Sequence, residues 1–359
     1  MSSCSVASFA TPPARIGVWN TAFLGDAVLT LPLIQSLALA FPQASIDFYV
    51  RGGLASLFTG HPALRHVIAY DKRGSARGGA GVVAMCQQVA AQHYDLWISP
   101  HTSLRSSAVA LASRAPVRVG YAEATLSRLC YTHRVGRGFG QKHEVERLLA
   151  LLEPLGVPPA SVWPELPISP AARAEAEAWF AAVPGPILGM HPGSTWPTKC
   201  WPVEYFAELA CTALEAGASV VLFAGNDETD KTNAIEAAVR QRMAEAAGRC
   251  FNLGGKLGLG VLGAYIGQVS AYVTNDSGPM HLAWPQRVPV VALFGPTDAS
   301  LGFAPKGESA VVMGVELPCR PCGLHGAKVC PQGHHGCMRQ LSPGLVWESV
   351  QAALLAGVK

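Results

Sequence analysis

The residue types that could do chemistry in this 359-residue chain stand in short polar turns that directly follow apolar runs. The first such turn contains Leu24, Gly25 and Asp26, ahead of a long helical pattern. Its backbone N–H groups could hold an anion, because a helix N-terminus carries partial positive charge. Asp26 could be a helix-capping carboxylate, the commoner role at this position, or a catalytic base. The turn matches neither the dinucleotide fingerprint nor a P-loop, which argues against NAD binding and ATP hydrolysis.

A second turn spans residues 191–202 and follows another apolar run. Ser194 and Thr195 supply two hydroxyls beside a glycine, and Lys199 adds a positive point charge four residues after Thr195. Two Trp-Pro pairs stiffen the loop, although they could equally anchor an ordinary surface loop to the core. The combination of a glycine, two hydroxyls and a lysine at a strand end favours phosphate binding.

A third turn follows the strand that we predict over residues 271–274. Ser277 and Gly278 can direct amide groups at an anion, because a helix begins there. Asp276 or Ser277 could instead simply cap that helix. His281 lies on its first turn, where it could contact a phosphate or pack as a core histidine.

A fourth polar turn, residues 225–228, lies at yet another strand end. It holds two neighbouring acidic residues, Asp227 and Glu228. A carboxylate at such a position can accept hydrogen bonds from both hydroxyls of a ribose. The residues alone do not distinguish between the two.

Four cysteines stand near the end of the chain, separated by two, seven and six residues. Four thiolates could form a tetrahedral metal site. The spacing is irregular for a zinc ribbon, whose second pair would also be C-x-x-C, which argues against a metal site. The cysteines are Cys319, Cys322, Cys330 and Cys337.

Short apolar runs alternate with amphipathic segments along the chain, a pattern typical of parallel sheets with helical crossovers. Proline-rich residues 156–170 interrupt it, because proline lacks the donor that helices and ladders need. We therefore predict an α/β protein with an N-terminal domain over residues 1–155, a linker over 156–170, a C-terminal domain over 171–341 and a final helix over 342–359 that packs back on the first domain. The predicted strands span residues 15–20, 46–51, 66–70, 96–99, 117–119, 187–191, 219–224, 271–274 and 288–294.

The composition of the chain excludes several classes of protein. Half of the residues are hydrophobic and 14% are charged, which excludes a disordered chain. The sequence has no apolar run long enough to span a bilayer and no signal-peptide pattern, so we expect a cytoplasmic protein.

Residues 51–137 hold eleven basic and three acidic residues. This excess indicates an anionic partner, such as nucleic acid, membrane head groups or a phosphorylated substrate, or else merely a soluble surface.

Together, these motifs resemble glycosyltransferase family 9, the bacterial heptosyltransferases that build the lipopolysaccharide inner core. The matching motifs are Leu24-Gly25-Asp26, the loop over residues 194–202 with its Lys-x-Trp-Pro sequence, and residues 276–281 followed by 294–298. They occur in the family's order over nearly the whole chain. The segment over residues 330–338 is similar to that of heptosyltransferase II-type members, with which no metal is associated, so the resemblance favours a packed or acceptor-facing thiol loop over a metal site.

The resemblance implies a GT-B fold, in which two Rossmann-like domains present parallel sheets to a central cleft. The N-terminal domain would bind the acceptor and the C-terminal domain would bind ADP-heptose. The implied reaction is a metal-independent, inverting transfer of heptose to a heptosyl-Kdo-lipid A type acceptor, with ADP as the product and no cofactor required.

The resemblance also implies a role for each candidate residue. Asp26 would take the proton from the acceptor hydroxyl, and Lys199 would stabilise the departing ADP. Asp227 or Glu228 would bind the ribose, and Asp276 would lie by the sugar and the phosphate. The diphosphate would be held by groups from the two C-terminal turns: Ser194, Thr195, Lys199, Ser277, Gly278 and His281.

Two other functions stay open. The same fold could use a different nucleotide sugar or act as a sugar-nucleotide epimerase. A non-catalytic nucleotide-sugar-binding or metal-stabilised scaffold is disfavoured, because Asp26, Lys199 and Asp276 are all present. Under the leading interpretation, the partner of the basic half is the core glycolipid, with peripheral contact at the cytoplasmic face of the inner membrane and no nucleic acid.

Overall fold

A computed structural model describes residues 9, 11–72, 74 and 77–357 of the chain. The chain divides into two compact units, Met1–Pro167 and Ile168–Lys359. Each unit is built around one six-stranded sheet in which every neighbouring pair of strands is parallel. The predicted α/β class with two parallel sheets is confirmed.

The sheet of the N-terminal unit has the strand order β3-β2-β1-β4-β5-β6, which is the doubly wound order of a Rossmann-like domain. Its central strands are buried because helices cover both faces. The strands are β1 Arg15–Asn20, β2 Ser45–Arg51, β3 His66–Tyr70, β4 Leu96–Ser99, β5 Val117–Tyr121 and β6 His133–Val135. The helices are α1 Leu24–Leu29, α2 Leu31–Ala40, α3 Ala55–Phe58, α4 Gly78–Ala90, α5 Leu104–Ala112, α6 Ser127–Cys130 and α7 Glu144–Ala150.

The sheet of the C-terminal unit has the order β12-β11-β10-β7-β8-β9. Helix α8 begins as predicted, with Ser169 Oγ accepting a hydrogen bond from Ala172 N at 3.1 Å and Pro170 in the first helical position. The strands are β7 Ile187–His191, β8 Ser219–Leu222, β9 Cys250–Asn252, β10 Ala271–Asn275, β11 Val290–Leu293 and β12 Ala310–Met313. The helices are α8 Pro170–Phe180, α9 Val203–Glu215, α10 Thr229–Arg242, α11 Leu259–Ile266, α12 Met280–Ala283, α13 Gly336–Arg339 and α14 Pro343–Gly357.

The final helix, α14, packs against α9, β10 and β11 of the C-terminal unit. Val346, Val350, Ala353 and Leu354 are buried apolar residues of this helix, and all four belong to the core of that unit. The predicted packing of this helix on the N-terminal domain stays a prediction. Over the described residues, every helix is too short or too polar to cross a bilayer.

The long helix predicted after β1 is in fact two helices, α1 and α2, which meet at Thr30. Pro32 lies at the start of α2, where it has no N–H to donate to the preceding turn. The Thr30 hydroxyl occupies the break, since it donates to the carbonyl of Asp26 at 2.8 Å and accepts from Asn20 Nδ2 at 2.8 Å. The break therefore fixes the backbone of the turn that carries Asp26.

Three strands, β6, β9 and β12, are missing from the strands predicted from sequence, and all three lie at sheet edges. Each has only three or four residues, and each is partly exposed. The strands β6 (HRV) and β9 (CFN) have no continuous apolar run to reveal them, whereas β12 (AVVM) has a short one that the prediction omits.

Candidate active site

Asp26 occupies the third residue of α1, at the carboxyl edge of the N-terminal sheet, and is half-buried. Its Oδ2 accepts a hydrogen bond from Phe23 N at 3.1 Å, so the carboxylate does cap the helix. Asn20, at the end of β1, donates from Nδ2 to the Asp26 carbonyl at 3.2 Å and accepts from Ala22 N at 3.3 Å. The cap and the buried asparagine together hold the carboxylate in a defined position.

A buried group of charges lies close to Asp26. Arg147 is fully buried on α7, and its Nε is 3.0 Å from Oε2 of Glu144. Arg137 Nη2 donates to the other oxygen, Oε1, at 3.5 Å. Burial raises the pKa of Glu144 to about 7, against the opposing effect of the two arginines, and the charge of Asp26 raises it further. Asp26 also supports the charged form of Arg147, whose pKa burial lowers.

A cationic cluster lies at the same edge of the sheet around His101. The pKa of His101 falls to about 4, first because of burial and then because of the positive charges of Lys72, Arg137 and Arg105. Lys72 is fixed by a hydrogen bond from Nζ to the Thr21 carbonyl at 2.9 Å. A neutral imidazole surrounded by three cations is an environment that would attract phosphate or carboxylate groups. The motifs did not reveal this cluster, and the one signal for it is the basic excess of residues 51–137.

In the C-terminal unit, Lys199 and Asp276 form a buried ion pair between the turns that follow β7 and β10. Lys199 Nζ is 2.5 Å from Asp276 Oδ2, and Thr297 donates from Oγ1 to the same oxygen at 2.6 Å. Each of the three is less than a tenth exposed. Asp276 therefore orients the lysine, and its predicted position beside the sugar and the phosphate stays a prediction.

Asn275 clamps the turn after β7 and was not predicted as a site residue. Its Oδ1 accepts from Trp201 N at 3.0 Å, and its Nδ2 donates to the Pro192 carbonyl at 2.9 Å. Trp201 is fully buried and donates from Nε1 to the Leu341 carbonyl at 2.8 Å. Trp201 thus anchors in the core the same loop that carries Lys199. The available signal was the polar pair Asn275-Asp276 at the end of an apolar strand.

The other predicted phosphate-binding groups lie at the ends of the same two neighbouring strands. Ser194 is half-buried, with its hydroxyl accepting from Trp196 N at 3.3 Å, and Thr195 is exposed. Ser277 and Gly278 are half-buried, and His281 is buried. The structure therefore brings the second and third polar turns of the sequence to one edge of the C-terminal sheet.

The two acidic candidates of the fourth turn differ in their surroundings. Asp227 is exposed, whereas Glu228 is partly buried, with its Oε2 3.5 Å from His191 Nε2. A Cβ added to Gly193 would lie 2.1 Å from that same Glu228 oxygen. Burial raises the pKa of Glu228 and lowers that of His191 to about 4, so the histidine is neutral. Glu228 is therefore the acidic residue that lies against the loop after β7.

The cysteine and histidine segment packs on the same loop. Thr198 Oγ1 donates to the Ala327 carbonyl at 2.9 Å, and the Thr198 carbonyl lies 2.8 Å from His335 Nε2. Trp196 stacks on His325 with the ring centroids 6.0 Å apart. In the part of the chain that the structure describes, no three His, Cys, Asp or Glu side chains are close enough to hold a metal ion. The clustered cysteines are free thiols of differing exposure: Cys319, Cys322, Cys330 and Cys337.

Comparison with known proteins assigns this site to a family. A family model described as glycosyltransferase family 9 (heptosyltransferase) matches residues 82–330. The chain is 31% identical to lipopolysaccharide heptosyltransferase 1 of Pseudomonas aeruginosa, over 95% of this chain and 98% of that protein. It is 27% identical to lipopolysaccharide heptosyltransferase 2 of Escherichia coli, over 95% and 99%.

The fold agrees with that assignment. The solved structure of E. coli ADP-heptose lipopolysaccharide heptosyltransferase II superposes with a TM-score of 0.77 and 27% identity, covering 95% of this chain and 99% of that one. The family model alone spans more than half of the chain. This protein therefore belongs to glycosyltransferase family 9, and it is a glycosyltransferase of GT-B fold.

Proposed function

We propose that the protein transfers a heptose from ADP-heptose to the inner core of lipopolysaccharide, with inversion at the anomeric carbon and release of ADP. The observation that carries this proposal is the buried Lys199–Asp276 pair between two polar turns at adjacent strand ends. An ammonium group that is held in place at the strand ends that also carry Ser194 and Ser277 suits a diphosphate.

The donor site then works by electrostatic stabilisation. As the bond from the anomeric carbon to the phosphate oxygen breaks, its electron pair leaves on ADP and negative charge grows on the diphosphate. Lys199 is already oriented by Asp276 and Thr297. It can therefore stabilise that charge without reorganisation at the moment of reaction. The same lysine is why we propose that no metal ion is required.

Glu228 is the residue that we assign to the ribose hydroxyls, in preference to Asp227. It lies against Gly193 and His191 at the start of the phosphate-binding loop. Asp227, the alternative residue, is exposed to solvent. A partly buried carboxylate next to the loop can accept both ribose hydroxyls while the diphosphate occupies the loop.

Asp26 is the proposed general base. An inverting transfer needs one base, which takes the acceptor hydroxyl proton as the hydroxyl oxygen attacks the anomeric carbon. Asp26 is half-buried, and Phe23 N holds one of its carboxylate oxygens at 3.1 Å. This contact fixes the carboxylate in its ionised form, which can still accept a proton. Capping and catalysis are therefore compatible roles for one side chain.

The cationic cluster of Lys72, Arg105 and Arg137 is the proposed acceptor site. The inner-core glycolipid carries phosphate and carboxylate groups, which match three cations around a neutral His101. Relatives named heptosyltransferase 2 and heptosyltransferase 1 both cover nearly the whole chain. The leading acceptor is heptosyl-Kdo-lipid A, and the acceptor of heptosyltransferase 1 is the second candidate. The reaction would take place at the cytoplasmic face of the inner membrane, without nucleic acid.

The test is to incubate the purified full-length protein with ADP-heptose and each of the two acceptors, and to measure the product by mass. We expect the mass of one added heptose on one acceptor, at the same rate with and without a metal chelator. ADP-glucose and UDP-N-acetylglucosamine serve as alternative donors. Transfer from another donor in preference to ADP-heptose, or epimerisation of a donor without transfer, would contradict the proposal.

A further inference from the structure

Four leucines on α5, on α6 and at the residue before α6 are exposed to solvent, and we call them the leucine face. The two on α5 are seven residues apart, which places them on the same side of the helix. Helix α6 packs directly beside α5. The exposed fractions are 56% for Leu104, 51% for Leu111, 53% for Leu126 and 69% for Leu129.

Leu126 has an unusual backbone as well as an exposed side chain. It adopts the left-handed conformation, with φ of 57°. This conformation is costly for a bulky residue, and glycine or asparagine is the usual choice there. Because the side chain is more than half exposed, core packing does not account for a leucine at this position. The combination is typical of a residue that is kept for contact with something outside the chain.

The position of the leucine face relates it to the proposed acceptor site. Leu104 begins the helix that follows β4, and Leu126 follows β5, so both lie toward the carboxyl edge of the N-terminal sheet. The two turns are joined by a hydrogen bond from Thr125 N to the Thr102 carbonyl at 3.1 Å. Asp26 stands at the same edge, after β1, which neighbours β4 in the sheet.

The charge around the leucine face is strongly positive. The one acidic residue among residues 101–142, Glu123, is engaged, because both of its carboxylate oxygens accept from Arg137 N at 3.0 and 3.1 Å. Arg128 lies exposed between Leu126 and Leu129. The basic residues in the same stretch are Arg105, Arg114, Arg118, Arg128, Arg134, Arg137 and Lys142.

We propose that the leucine face is the surface that seats this protein on an anionic lipid bilayer. The leucines would enter the boundary between head groups and acyl chains, and the arginines would pair with anionic head groups. This inference rests on the proposed function in one respect, since it explains how an acceptor that is anchored by acyl chains reaches Asp26. A patch of apolar side chains within a basic surface matches an anionic membrane better than it matches an acidic protein, which would leave the leucines exposed.

The test measures co-sedimentation of the full-length protein with vesicles. We compare vesicles of phosphatidylethanolamine and phosphatidylglycerol with vesicles of phosphatidylcholine alone. The wild type should bind the anionic vesicles and leave them at high salt. Leu126→Gly and Leu129→Ser should each weaken binding by about tenfold, since each removes the transfer free energy of one leucine side chain.

Two controls separate loss of the surface from loss of the fold. Leu126→Gly places the preferred residue at a left-handed position, so its melting temperature should not fall. Leu39→Ser removes a leucine that is 73% exposed on α2 of the same unit, shortly before β2 begins. It should bind vesicles like the wild type.

Activity assays keep this inference distinct from the proposed function. On a deacylated, water-soluble acceptor the leucine variants should match the wild type, whereas on acceptor embedded in vesicles they should be slower. Absence of transfer to either acceptor would contradict the proposed function, and vesicle binding would still test the leucine face. Vesicle binding that is unchanged in Leu126→Gly and Leu129→Ser, or a dimer that these variants dissociate without any vesicle binding, would overturn the membrane proposal.

Discussion

The two units of this protein both place polar groups at the carboxyl ends of a parallel sheet, but the balance of charge there differs. In the C-terminal unit, the turns after the neighbouring strands β7 and β10 bring Lys199 against Asp276, so this buried cation is neutralised within the fold. In the N-terminal unit, three cations lie near His101, whose imidazole stays neutral. A single oriented ammonium group suits the diphosphate of a donor, whereas several cations suit an acceptor that carries more than one anionic group.

The largest loss of activity is expected from substitution of Asp26. Without that loss, the assignment of the base to the N-terminal unit would fail. Asp26→Asn should lower kcat by about 10³-fold, because asparagine is not a base. ADP affinity should stay unchanged, since the proposed donor residues belong to the C-terminal unit. The helix cap should persist, because asparagine can also accept from Phe23 N. The measurements are single-turnover rate, ADP titration and melting temperature. Normal turnover in this variant would remove Asp26 from the mechanism.

The second effect concerns the buried pair of the C-terminal unit. Lys199→Met should lower kcat/KM by about 10²-fold and should destabilise the protein by about 3 kcal/mol, because Asp276 is left buried without its cation. The matched control is the double variant Lys199→Met with Asp276→Asn. It should recover most of the stability and none of the activity. Recovery of activity together with stability would show that the lysine is structural.

A smaller effect is expected at the cationic cluster. Arg105→Ala should raise the KM for the glycolipid acceptor by about tenfold and should leave the KM for the donor unchanged, since a single charge contact is removed. Arg134→Ala, which removes an exposed arginine of β6 in the same unit, is the control and should change neither constant. An equal rise in both variants would point to general charge attraction instead of a site.

The smallest effect is a pH dependence of stability from Glu144. Its pKa is raised in the folded protein, from 4.5 to about 7, so the folded state binds more protons than the unfolded state between those values. Stability is therefore lost as pH rises through this window, at no more than about 1 kcal/mol per pH unit. Glu144→Gln mimics the protonated acid and should flatten that slope. Denaturant unfolding between pH 5 and 8 measures it, and identical slopes in the two proteins would contradict the assigned cause.

The sequence pattern was sufficient for the central strands and for the edge strand β3, and insufficient for the other three edge strands. Strands such as β1 and β7 are continuous apolar runs because they are covered on both faces, whereas β6 and β9 are three-residue edge strands without such a run. The helix break at Thr30 depends on a hydroxyl that bonds to Asn20 and Asp26, and periodicity does not register it.

The site residues show the same difference between what the sequence pattern predicts and what depends on tertiary contacts. Ser194, Lys199, Asp276 and Ser277 could be proposed from sequence because each stands in a turn directly after a strand. Asn275 stands at the start of the same polar turn, but its role as a clamp depends on partners more than seventy positions away. The cluster around His101 and the pair of Glu144 with Arg147 depend on how β3, α5 and α7 come together. Only the fold brings such groups into contact.

The contact between Gly193 and Glu228 has a consequence for anyone who redesigns the donor preference of this enzyme. A single methyl group at position 193 would meet the Glu228 carboxylate, which is the movable end of a long side chain, and would displace it. If Glu228 binds the ribose as proposed, the smallest substitution available would change how that sugar is held. Position 193 is therefore a natural starting point for a library of altered nucleotide selectivity, with the residue at 228 randomised alongside it.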